Sequence, residues 1–138
     1  MCVDSIMMVK CYKRHWKIWT SYFPDILAMG NNLQPSSRTV TILLCTCNGE
    51  HYLAEQLDSI EAQEYPHWRV LASDDGSRDN TQDILQTYRR RWSDNRLTFF
   101  AGPSQGYVAN FLFVTRRAGG STDYYAWADQ DDIWEADK

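Results

Sequence analysis

From Val40 onward, short apolar runs alternate with longer stretches of helical periodicity. Val40 to Cys45 is β-branched and apolar without alternation, the pattern of a strand buried on both faces. Asn48-Gly49 breaks that run, and Asn48 is placed to cap a helix in which Leu53, Leu57 and Ile60 recur at helical spacing. Tyr65-Pro66 is expected to end this helix. Trp68 to Ser73 predicts a second strand, closing on Asp74-Asp75-Gly76-Ser77. Asp79 with Gln82 has the spacing of a capping box. The helix it opens would bury Ile84, Leu85, Tyr88 and Trp92, leaving Arg89-Arg90-Arg91 as its solvated face. Arg96 to Phe100 predicts a third strand. Gly102-Pro103 turns the chain, Ser104 is a candidate cap, and a third helix would bury Val108, Phe111 and Leu112. Gly119-Gly120 stops it, and Asp123 to Ala128 predicts the fourth strand.

A β-α-β-α-β-α-β order implies right-handed crossovers and a mostly parallel sheet covered by helices. The expected class is α/β, a three-layer α/β/α arrangement of Rossmann-like type. The organised domain is expected over residues 38–138, behind an extension and linker at 1–37 that ends in the polar stretch Gly30 to Ser37. Residues 1–30 are rich in Met, Trp, Tyr and Lys and show no period. Trp16, Trp19, Tyr22 and Phe23 beside the basic cluster suit a peripheral contact with an anionic membrane surface. A packing extension is the commoner role for such a terminus.

Charge narrows the partners. Residues 1–38 carry five basic and two acidic residues, and the remainder nine basic and sixteen acidic. An acidic body is a poor general nucleic-acid binder, because phosphate neutralisation needs a basic face. The first ten residues lack an uninterrupted apolar core, so neither a signal peptide nor a spanning helix is evident, and a reduced, cytoplasmic compartment is expected. Cys45-Thr-Cys47 has no second ligand pair at zinc spacing, so it reads as small residues ending a strand.

The candidate chemistry sits in two acidic clusters. The aromatic run Tyr124 to Ala128 stops at Asp129, with Asp131 and Asp132 close behind. Carboxylates at a strand's carboxyl end lie where open α/β sheets bind ligands. Crowded acids repel one another, and a hard divalent cation such as Mg²⁺ or Mn²⁺ relieves that repulsion while gripping substrate phosphates. Asp74-Asp75-Gly76-Ser77 follows another strand, and a carboxylate there can accept the imide N–H of a pyrimidine ring. By itself that segment is equally an ordinary strand-to-helix turn.

Together these residues resemble the inverting family 2 glycosyltransferases of GT-A fold. The matching text is Thr46-Cys-Asn-Gly-Glu50-His-Tyr52-Leu53, Gln56-Leu57-Asp-Ser59-Ile60 with Gln63 and Tyr65, Ser73-Asp-Asp-Gly-Ser-Arg-Asp79-Asn-Thr81, Gly106 with Asn110-Phe111, and Ala128-Asp-Gln-Asp-Asp-Ile-Trp134. The last of these looks most like rhamnosyltransferase-type members of cell-surface polysaccharide pathways.

The resemblance implies transfer of a sugar from a dTDP- or UDP-sugar donor to the hydroxyl of a saccharide or lipid-linked saccharide acceptor. It implies that Cys45, Thr46 and Cys47 line the nucleotide pocket with Glu50 nearby, and that Asp75, supported by Asp74, meets the base. Asp129 and Gln130 would lie by the sugar or ribose, and Asp131 with Asp129 would hold the metal. Cys47 departs from the family, which usually carries Tyr there. The family's acceptor half and catalytic base would lie beyond Lys138, so the sequence reads as a truncated, donor-binding portion that would expose a surface prone to self-association, working in the cytoplasm or at the inner face of the membrane. Two other readings remain: a non-catalytic nucleotide-sugar or metal-binding fragment, and a receiver-like signalling module. The second needs a Lys at a later strand end, and the only Lys after Lys17 is Lys138.

Overall fold

A computed structural model of the protein describes residues 38–92, 95–120 and 122–138. The expectations for residues 1–37, membrane contact included, lie outside the described residues. Four strands and three helices alternate: β1 (Val40–Thr46), α1 (Leu53–Glu61), β2 (Trp68–Asp74), α2 (Thr81–Arg91), β3 (Leu97–Ala101), α3 (Tyr107–Ala118) and β4 (Tyr124–Asp129). The strands form one parallel sheet in the order β3-β2-β1-β4.

Side-chain alternation along β1 sorts the core into two layers. Ile42 and Leu44 face α1 and α2, packing with Leu53, Leu57, Ile60, Leu85, Tyr88 and Trp92. Leu43 and Cys45 face the opposite way, onto Val114 and Ala118 of α3. The result is the expected three-layer α/β/α sandwich, with β1 buried on both sides. Trp92 meets Trp68 and Tyr88 edge-on, with ring centroids 5.0 and 5.5 Å apart. Of the three consecutive arginines, Arg91 ties α2 to α1 through Asp58 and Glu61, and Arg89 lies over the Phe99 ring. The run is therefore exposed, as expected, but partly engaged.

Strand positions follow the sequence closely; helix starts do not. α1 begins at Leu53 without a side-chain cap. Asn48 instead accepts from the backbone N–H of Arg78 and sits at φ 50°. α1 also stops at Glu61, before Tyr65-Pro66. The capping box is incomplete, because the Gln82 side chain is turned to Asp74, to which it donates, rather than accepting the N–H at the helix start. Asp79 alone does the local work, accepting from the backbone and hydroxyl of Thr81. At α3 the N-cap is Gly106, not Ser104. The stripe expected there is also displaced: Val108 and Leu112 are exposed, whereas Asn110, Val114 and Ala118 are buried. α3 carries apolar residues around much of its circumference, so periodicity alone does not pick its inner face.

The order of strands positions the site. The chain moves outward from β1 to β2 and β3, then α3 carries it back across the other face to β4. Sequence order therefore reverses between β1 and β4, and such a reversal opens a crevice at the carboxyl ends of the strands. A receiver-like domain carries the order 2-1-3 at its first three strands. The order here excludes that reading.

Candidate functional site

Three loops share the carboxyl edge: 46–50 after β1, 74–80 after β2, and 129–134 after β4. Thr46 pairs in register with Asp74, and Cys45 with Asp129, so β1 lies between the two acidic clusters. Two strand spacings put those clusters about 10 Å apart across the sheet. Asp75 and Asp131 thus both follow strands that end on this edge of the sheet.

The first two loops are sewn together. Asp74 is buried and accepts from Thr46 Oγ1 (3.0 Å), Gln82 Nε2 (2.8 Å) and both the backbone N–H and hydroxyl of Ser77. Ser77 Oγ in turn takes the Asn48 N–H at 2.8 Å, and Thr81 Oγ1 takes that of Gly49 at 2.7 Å. Glu50 and the start of α2 clasp reciprocally. The Glu50 N–H reaches Asp79 Oδ2, while Glu50 Oε2 accepts from the backbone and side chain of Asn80. The physical effect is a loop pair with few free backbone donors. Asp74 and Glu50, both drawn from sequence as nucleotide-site residues, are engaged here in holding the loops.

Asp75 is fixed differently. Its Oδ1 accepts the N–H of Ser104 at 2.6 Å and its Oδ2 that of Gly106 at 2.8 Å. Its own N–H donates to the Thr46 carbonyl. The turn before α3 thus aims the carboxylate, and each oxygen keeps a further lone pair for an incoming donor. Behind it, buried Asn110 donates to the Ser73 carbonyl at 2.9 Å and accepts from the Ser73 hydroxyl. Gly102 closes this cluster: a Cβ there would lie 2.6 Å from Asn110 Oδ1 and 3.0 Å from Asp75 Oδ1. Ser104, Gly102 and Asn110 were not drawn from sequence as site residues. In the sequence Asn110 stands out only as part of the family resemblance, without a role, because its partner Ser73 lies 37 residues away.

The acidic loop after β4 is joined to β1 by one side chain. Gln130 Oε1 accepts the Cys47 N–H at 2.8 Å and Gln130 Nε2 donates to the Cys47 carbonyl at 3.0 Å. Cys47 also leans its thiol toward the Asp75 carbonyl, with Sγ 3.7 Å away. A single residue therefore touches both acidic segments. Cys47 is exposed, whereas the Cys45 side chain is buried in the α3 layer and can offer a ligand only its backbone. Thr46 is buried too, its hydroxyl spent on Asp74. Of the three residues expected along the nucleotide pocket, only Cys47 presents an exposed side chain at this edge.

Electrostatics at the loop favour a cation. The Asp129 carboxyl is pushed up from its ordinary value by partial desolvation at the strand end; the Gln130 N–H opposes this, and the charges of Asp131 and Asp132 add to it. Among the described residues no arginine or lysine pairs with these acids. Nor does any group of three ligating side chains form a self-contained metal cage among them. An all-oxygen donor set of carboxylates is of the kind that hard cations such as Mg²⁺ and Mn²⁺ take. Within the loop the Gln130 N–H donates to Asp129 Oδ1 at 2.8 Å, whereas the Asp129 N–H to Asp132 Oδ2 and the Asp132 N–H to the Asp129 carbonyl are both 3.4 Å.

Residues 41–138 match the family described as glycosyl transferase family 2. The chain belongs to that family. TuaG of Bacillus subtilis, assigned to teichuronic acid biosynthesis, is 31% identical over 99 residues, covering 72% of this chain and 38% of TuaG. A dTDP-rhamnosyl transferase of Shigella flexneri, RfbG, is 31% identical over 100 residues, covering 69% and 34%. WfgD of Escherichia coli, a UDP-Glc:alpha-D-GlcNAc-diphosphoundecaprenol beta-1,3-glucosyltransferase, is 31% identical over 101 residues, covering 72% and 37%. The chain thus spans little more than a third of these relatives. Among solved structures, the mannosyltransferase PcManGT of Pyrobaculum calidifontis, in complex with GDP-Man and Mn²⁺, superposes with a TM-score of 0.63 at 23% identity, covering 80% of this chain and 33% of that one. TarS 1–349 of S. aureus, in complex with UDP, superposes with a TM-score of 0.54 at 23% identity, covering 72% and 29%. The family's GT-A fold is the one described above. No helix among the described residues is long and apolar enough to cross a membrane.

Proposed function

We propose that these residues form the donor-binding part of an inverting, metal-dependent glycosyltransferase. It transfers a sugar from a UDP- or dTDP-sugar to a saccharide or lipid-linked saccharide hydroxyl in cell-surface polysaccharide synthesis. The observation that carries this reading is the position of Cys47, bonded on one side to Gln130 and leaning on the other against Asp75. Cys47 thereby contacts both acidic segments, and a nucleoside diphosphate reaching from one to the other would pass beside it.

In this reading Asp75 accepts the imide N–H of the base with a lone pair not used by Ser104 and Gly106. The exposed Cys47 lines the pocket beside it. Asp74 and Glu50 act through the loops they brace. Asp129 and Gln130 lie next to the ribose or sugar, and Asp131, with Asp129, holds the cation. A bound Mg²⁺ or Mn²⁺ would offset the charge that develops on the diphosphate leaving group. The acceptor hydroxyl must also lose a proton, and none of the described residues is assigned that role. The relatives that use dTDP-rhamnosyl and UDP-Glc donors support a pyrimidine nucleotide.

Calorimetric titration with UDP and with dTDP, each with and without Mn²⁺, tests the proposal. Binding should require nucleotide and cation together and should fall sharply in Asp131→Ala. Metal-independent binding, or binding untouched by that substitution, overturns the assignment.

A further inference from the structure

Gln56 is fully buried in α1, and neither its Oε1 nor its Nε2 has a hydrogen-bond partner. Buried amides are nearly always paired, because desolvating one without compensation is costly. An apolar residue would suit this position better on stability grounds alone. An unmet polar group in an otherwise consistent core points to a role beyond packing.

Helical geometry gives the direction in which it lies. Gln56 shares a flank of α1 with Ser59, three residues on, and the chain leaves that end of the helix through Gln63 and Glu64. Ser59 Oγ takes the Trp134 N–H at 3.0 Å, Gln63 Nε2 donates to the Glu135 carbonyl at 2.7 Å, and the Glu64 N–H reaches the Ala136 carbonyl at 2.8 Å. That flank therefore holds the chain just after the acidic loop. α1 starts at the carboxyl edge, so Gln56 lies one turn nearer that edge than Ser59. The loop is anchored at Gln130 to Cys47 and at Trp134 to Ser59. Along α1, Gln56 falls between the helix start near the first anchor and Ser59 at the second, so the span 131–133 has to pass along this part of the helix. Ile133 is 59% exposed, the two bonds between Asp129 and Asp132 are long at 3.4 Å, and the Trp134 indole N–H is likewise buried and unpaired.

We propose that Gln56 is a positioning residue for the acidic loop, its amide taking backbone partners from residues 131–133 when donor and cation draw that loop onto α1. The inference rests on the donor-binding reading above. It assigns to this buried side chain the selection of the loop conformation in which Asp131 faces the diphosphate.

The test compares wild type, Gln56→Leu and Gln56→Glu in the full chain. Thermal unfolding is measured without ligand, and titration is done with UDP or dTDP plus Mn²⁺. Gln56→Leu removes the unpaired amide at similar volume, so its midpoint without ligand should rise by about 5 °C. Its affinity for the nucleotide–Mn²⁺ pair should nevertheless fall roughly tenfold, the scale of one net hydrogen bond. Gln56→Glu keeps an acceptor but adds a like charge behind the acids, and should weaken binding further. A Gln56→Leu protein that is destabilised or unfolded shows that the amide is already paired without ligand and overturns the inference. Unchanged affinity in that variant overturns it too. If wild type binds neither nucleotide with Mn²⁺, the donor-binding reading fails first and this inference falls with it.

Discussion

The side-chain amide of Gln130 is hydrogen-bonded to both backbone polar groups of Cys47, pinning the loop after β4 to the end of β1. Gly49 lies against the same amide: a Cβ there would fall 2.3 Å from Gln130 Oε1. Gly49→Ala should therefore displace Gln130 and release Cys47. Gln130→Ala should do the same by deletion. Each should cost about 1–2 kcal/mol in urea unfolding. Because both break one contact, the double variant should be markedly less destabilised than the sum of the singles. Additive losses would show that Gly49 serves some other purpose.

Neighbouring Asp74 and Asp75 should respond oppositely to substitution. Asp74 is buried and accepts four hydrogen bonds from three residues. Asp74→Ala leaves those donors unmet and should cost about 3 kcal/mol or more. Asp75→Asn retains an acceptor for one of the two backbone donors and should cost about 1 kcal/mol. Its effect should instead fall on base recognition, since an amide N–H₂ opposes an imide N–H. UDP affinity should drop while stability is nearly kept. Comparable unfolding midpoints for the two variants would remove the distinction between bracing and binding acids.

This contrast marks the limit of what the residues reveal unaided. The strands were legible because Val40 to Cys45 and Trp68 to Ser73 are continuous apolar runs ended by polar turns, which is how buried parallel strands read. The acidic clusters were legible because carboxylates at two strand ends are conspicuous. The different partners of Asp74 and Asp75 were not, since these are Thr46, Gln82, Ser104 and Gly106, all remote in sequence from at least one partner. The helix starts failed for a related reason. Asn48 and Gln82 are locally competent caps, but Arg78 and Asp74 offer partners that complete the loop-to-loop stitching, and tertiary bonds outweighed local ones. On α3, Asn110 is inside because Ser73 satisfies it, and the exposed Val108 and Leu112 lose the inner face that apolarity alone would give them.

Asp129 provides a pH test with a defined sign. Its folded-state value is raised, first by desolvation, with the charges of Asp131 and Asp132 adding to the effect. A raised carboxyl favours the protonated fold, so ionised Asp129 lowers stability as pH rises through the shifted value. The penalty is absent below the unfolded value of about 4, where both states are protonated. Asp129→Asn should therefore raise the unfolding midpoint of the metal-free protein at pH 7 and leave it unchanged near pH 3. Cation affinity should move the other way, falling in wild type as pH is lowered toward the raised value and staying weak in Asp129→Asn. A substitution that lowers stability at neutral pH would contradict the direction of the shift.

Cys47 offers a direct test of the proposed pocket. Its thiol is exposed, and its ionisation is pushed up by desolvation and then by the charges of Asp75, Asp74 and Asp79. The thiolate is the reactive form, so alkylation at pH 7.5 should be slower than for a free cysteine and accelerate into the alkaline range. Buried Cys45 should be inert in the folded protein. In a Cys2→Ser, Cys11→Ser background, iodoacetamide labelling followed by mass spectrometry should locate modification at Cys47. Saturating UDP with Mn²⁺ should suppress it by covering the thiol, and UDP alone should protect far less. Asp131→Ala should abolish the protection without changing the ligand-free rate. Labelling of Cys47 that is indifferent to nucleotide and cation would place the base elsewhere than beside Asp75.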